Sequence, residues 1–106
     1  MNREYVQHWF DHTALNRATP TRWELARRSI EEASDAHEGF APLLRQIALE
    51  ALGSLDASIV RRALVVLASV GTSADLATLE GVADSSDAGI AGEARATIFE
   101  LTHRAV

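Results

Sequence analysis

The chain of 106 residues contains no cysteine and no lysine, only two prolines, and no unbroken apolar run longer than Ala63–Ala68. Each absence excludes something. Without cysteine there is no disulfide framework and no thiolate nucleophile or thiolate metal ligand. Without lysine there is no phosphate-binding P-loop, and the six glycines are dispersed rather than clustered. A six-residue apolar run is far short of the roughly 18 residues that a membrane span needs. Met1-Asn2-Arg3-Glu4 carries no apolar signal segment, so the expectation is a cytoplasmic protein with no membrane role. No G-x-S-x-G elbow occurs and the serines fall mostly at caps and turns, so nucleophilic catalysis has no anchor.

What is present is a chain 47% hydrophobic and 24% charged, enough apolar content for one folded domain spanning residues 1–106. Fifteen acidic residues outnumber ten arginines, giving a formal net charge of −5. That balance disfavours nucleic acid as a partner, because phosphate backbones are bound by excess positive charge. The acid is unevenly spread. No basic residue lies between Arg62 and Arg95, whereas Asp75, Glu80, Asp84, Asp87 and Glu93 all do. An uncompensated acidic surface would steer a basic protein partner, so these five are the candidate contact residues.

The apolar spacing is helical throughout, with no alternating strand pattern. Val6, Trp9, Phe10 and Thr13 predict a first helix over about Arg3 to Arg17, ended by Pro20. Thr21-Arg22-Trp23-Glu24 fits a capping box opening a second helix to about Ala36, with Trp23, Leu25, Ala26 and Ile30 inward. A third, about Ala41 to Leu52, carries Pro42 in its first turn and Gly53 just past its end. The fourth, about Ala57 to Val70, is the most apolar and is expected at the centre, wet only near Arg61-Arg62. Thr72 or Ser73 caps a fifth over about Ala74 to Asp84, and Asp87 caps a sixth over about Ala88 to Arg104. Trp9, Phe10, Trp23 and Phe40 all lie in the first forty residues and are expected to close the N-terminal end of the core. The class is therefore all-α with about six helices, arranged as stacked antiparallel hairpins or, alternatively, as a closed bundle.

Offset by 31 residues, the chain matches itself. Asp56, Ala57, Ile59 and Ala63 fall on Asp87, Ala88, Ile90 and Ala94, and Leu67 falls opposite Ile98. Such a period in helix pairs marks an α-solenoid. Asp56, Ile59-Val60-Arg61-Arg62, Leu67 through Gly71, Leu76, Leu79 and Asp87 resemble the HEAT-repeat family over about residues 40–106, with a further helical hairpin over 1–39. The last copy departs from the family by carrying Ala91-Gly92 where Val-Arg would stand. The resemblance implies a short HEAT-like stack that binds other proteins, and with no cofactor motif in the chain none is expected. The chain's overall character is also similar to small bacterial immunity proteins, which implies neutralisation of a basic toxin domain. The competing implication is an adaptor that takes a partner helix in an apolar groove. The open ends of such a stack also allow self-association.

Two polar constellations invite chemistry. His8 and His12 stand at i, i+4 on one helix and are weak candidates for a metal, lacking an assignable third ligand. His37-Glu38 is a single His-Glu pair in an expected connector, where HEAT-like iron hydroxylases use several. Neither is expected to carry catalysis, so the chain reads as a non-enzymatic binding module.

Overall fold

The computed structural model describes residues 1–104, so the last two positions of the predicted repeat region lie outside the described residues. Among the described residues there are six α-helices and no strand: α1 (Arg3–His12), α2 (Pro20–Ala36), α3 (Phe40–Ala51), α4 (Ala57–Val70), α5 (Leu76–Ala83) and α6 (Ala88–Arg104). None is long and apolar enough to cross a membrane.

Helix α4 is the hub. Val60 and the unbroken stretch Ala63–Ala68 are buried, because α3, α6 and α2 cover it on three sides. It packs with α3 as one hairpin, while α5 and α6 form a second. The two hairpins meet along α4 and α6. Arg61 approaches Glu93, the Thr97 hydroxyl donates to the Leu64 carbonyl at 2.7 Å, and Arg104 donates to the Ser69 carbonyl at 2.6 Å. These contacts step forward together along both helices, so α4 and α6 run parallel.

The two hairpin turns are built alike, 31 residues apart. Gly53 and Ser54 donate backbone N–H groups to Glu50 and Ala51, as Asp84 and Ser85 do to Gly81 and Val82. Ser54 Oγ then accepts the Asp56 N–H and Ser85 Oγ accepts the Asp87 N–H, each at 3.1 Å. Asp56 and Asp87 in turn accept backbone N–H groups of the first turns of α4 and α6. The aspartates satisfy N–H groups that an uncapped helix start would leave orphaned.

The N-terminal third departs from the expected pattern. In place of a hairpin over 1–39, α1 lies on α3, and α2 lies across α3 and α4. Helix α1 stops at His12, five residues before the predicted end at Arg17. Arg62 of α4 donates to the Phe10 and Thr13 carbonyls, satisfying groups that a continuing helix would use itself. The freed chain then buries Leu15 and turns where Asn16 Oδ1 accepts the Ala18 N–H at 2.7 Å. Helix α2 is capped by Thr19, whose Oγ1 accepts the Arg22 N–H, with Pro20 in the first helical position; the Thr21–Glu24 box is not the cap. Leu25 is more than half exposed, because the buried stripe runs through Ala26 and Ile30 with Trp23 half-covered. Gly53 follows the C-cap Leu52 of α3 as expected, and the left-handed glycine is Gly39, whose φ of 84° opens α3. The fifth helix starts later than predicted, at Leu76, after a 3₁₀ turn over Ser73–Asp75.

Gly71 ends α4 where a side chain has no room. A Cβ there would stand 2.5 Å from the Leu67 carbonyl oxygen and 3.1 Å from Leu101 Cδ1. Gly71→Ala is expected to destabilise the protein by about 1–3 kcal/mol through forced shifts. Urea denaturation reads this directly, and an unchanged midpoint would contradict the packing described.

Candidate functional site

The irregular stretch after α1, the first turn of α2 and the first half of α4 bring Arg17, Arg22, Arg61 and Arg62 to the wall of one open cleft of about 490 Å3. Leu15 and Val65 form apolar lining and Glu93 of α6 is its one carboxylate. A second hollow of about 310 Å3, floored by Gly89 and Gly92, shares Arg17, Arg61 and Glu93 with the first. Four arginines against one glutamate leave three positive charges here, in a chain whose net charge is −5.

The arginines are held differently. Arg17 is nine-tenths buried and clamps α6: Nε and Nη2 donate to Glu93 Oε2 at 3.0 and 2.5 Å, and Nη2 also reaches the Glu93 carbonyl and Thr97 Oγ1. Its guanidinium lies 5.6 Å from the Trp23 ring centre, and its Nη1 is buried with no acceptor. Arg62 is fixed by the Phe10 and Thr13 carbonyls and by the Phe10 ring 5.4 Å away. Burial draws the Arg62 guanidinium below its usual range, with Asp11 opposing; it stays cationic, as arginine does in proteins. Arg61 is half exposed and only approaches Glu93, at 3.7 Å. Arg22 is exposed, and among the described residues its side chain makes no hydrogen bond or ion pair. The cleft thus joins two anchored cations to two exposed ones.

The five acidic candidates do not form one face. Asp75 is buried, its two oxygens taking Arg45 Nε and Nη2 at 2.8 and 2.6 Å and its Oδ2 also the Thr72 N–H at 2.9 Å. Glu93 is engaged by Arg17 inside the cleft. Asp87 caps α6 yet remains exposed, and Glu80 and Asp84 are exposed on and after α5. Only these last three present carboxylates to solvent, with Arg95 nearby donating to the Ala83 carbonyl at 3.4 Å.

His8 and His12 lie on the exposed side of α1, their rings stacked with centres 4.1 Å apart, and His12 Nδ1 donates to the His8 carbonyl. Among the described residues no three His, Cys, Asp or Glu side chains gather as a metal site. His37 ends α2 and meets Tyr5 edge-on. The N-terminal aromatics belong to the core: Phe10 and Phe40 are buried and Trp9 packs edge-on against Phe40.

No family model matches this sequence, and comparison with curated proteins and with solved structures gave no match.

Proposed function

We propose that this protein is a non-catalytic, cytoplasmic protein-binding module, a short HEAT-like stack of helical hairpins that recognises an acidic segment of its partner in the arginine cleft. The 31-residue recurrence of the two hairpin turns supports the HEAT-like reading, since repeats of this kind offer a continuous surface to other macromolecules. The observation that carries the choice of site is the pair Arg22 and Arg61, whose guanidinium groups are exposed and nearly unengaged beside two buried ones. Arginine forks bind carboxylates bidentately, and pre-anchored cations lose little freedom on binding.

The immunity reading calls for a basic partner at an acidic face. It keeps Glu80, Asp84 and Asp87, which are exposed, but loses Asp75 and Glu93, which are neutralised internally. Three baits separate the readings: wild type, Arg22→Glu/Arg61→Glu, and Glu80→Arg/Asp84→Arg. An acidic protein retained by the first and third and lost from the second is the expected result. A basic protein lost only from the third would replace this reading with the immunity one.

A further inference from the structure

We propose that the cleft is an oxyanion site whose ligand is a phosphorylated side chain of the partner. This rests on the cleft being the recognition site. Once Glu93 is counted, three positive charges remain on the wall. A single carboxylate neutralises one of them, whereas a phosphomonoester brings about −1.5 to −2 and three strong acceptor oxygens. Donors exceed acceptors around the cleft: among the described residues Arg22 makes no side-chain hydrogen bond or ion pair, and the exposed Arg61 only approaches Glu93, at 3.7 Å. Its volume of about 490 Å3 exceeds what one carboxylate fills and leaves room for a tetrahedral anion on a peptide, and the Gly89–Gly92 hollow shares Arg17, Arg61 and Glu93 with it. Arg17 and Arg62 are fixed by Glu93 and by the Phe10 and Thr13 carbonyls, so the floor is in place before the ligand arrives. Arg22 and Arg61, the exposed pair, close on it.

The test uses the whole chain at constant ionic strength. Thermal unfolding is followed with inorganic phosphate against chloride. Calorimetric titration then compares one short acidic peptide in three forms: phosphoserine, serine and glutamate at the same position. Phosphate at ten times its Kd is expected to raise Tm by roughly 5–10 °C. The phosphoserine peptide is expected to bind at least about tenfold tighter than the glutamate form. Arg22→Ala/Arg61→Ala, at exposed positions, should abolish both effects while leaving the unligated Tm close to wild type. Phosphate acting no better than chloride overturns the proposal, as does phosphate binding that survives the double substitution. Equal binding of the glutamate and phosphoserine peptides also overturns it, while leaving recognition of acidic segments intact. Adenosine monophosphate binding more tightly than the phosphopeptide would place the source in a free nucleotide and overturn the partner assignment.

Discussion

Asp75→Ala is expected to lower unfolding stability by about 3 kcal/mol, at the low end for a broken buried pair because Arg45 is a third exposed and can regain water. The carboxylate performs two tasks. It receives both donors of the Arg45 fork from α3, and it closes the turn that starts α5 by accepting the Thr72 N–H. Among the principal packings, α3 and α5 are not direct neighbours; this pair joins the front helices of the two hairpins. Asp75→Asn retains the shape and loses the charge, so it should lose most of the same stability.

The pH dependence separates charge from packing. The Arg45 hydrogen bonds, more than the Thr72 N–H, hold the Asp75 carboxyl below its ordinary value of 3.8. A carboxyl depressed in the folded state contributes stability fully above that ordinary value, and loses it as pH falls further through the lowered native value. Wild type should therefore lose stability in urea more steeply than Asp75→Asn as pH falls below about 4. Parallel acid limbs for the two proteins would show that the pair contributes no charge-dependent stability.

Arg17→Ala should have a comparable effect, about 3–4 kcal/mol, since it leaves Glu93 largely buried with only the distant Arg61 opposite. Arg17 is also what fastens the stretch after α1 to α6, through the Glu93 carboxylate, its carbonyl and the Thr97 hydroxyl. A cycle with Glu93→Gln tests the assignment. The double variant should be less destabilised than the sum of the singles by about 1–3 kcal/mol, and strict additivity would contradict a coupled pair.

Much of the fold was legible in the sequence because its signals are local. The limits of α4 and α6 follow from the aspartates before them, and Ala57–Val70 and Ala88–Arg104 are the spans predicted. The misjudged boundaries are those fixed by distant partners. Arg62, 49 residues beyond Thr13, decides where α1 ends, and no spacing near Thr13 reports that. Sequence alone puts Asp75 among five acids of one uncompensated acidic surface, but its partner stands 30 residues upstream on α3. Leu25 follows Trp23 and Glu24 into an apolar-looking window, and only the position of α3 and α4 shows that the buried stripe passes through Ala26 instead.

The cleft was concealed for the same reason. Its arginines come from the stretch after α1, from α2 and from α4, and an acidic total charge points away from any basic site. One sequence signal did point to it: Arg61-Arg62 are the sole charged residues in α4, the helix with the longest buried run. A charge placed in a helix that is otherwise core has either a partner or a purpose. Here Arg62 anchors the chain after α1, and Arg61 lines the cleft half exposed.

The most direct measurement is the affinity of the captured partner for two charge reversals, compared with wild type at one low salt concentration. Arg22→Glu/Arg61→Glu is predicted to weaken binding by on the order of 100-fold or more, and Glu80→Arg/Asp84→Arg to change it less than about threefold. The opposite order, with the acidic reversal abolishing binding and the arginine reversal tolerated, would contradict recognition through the cleft.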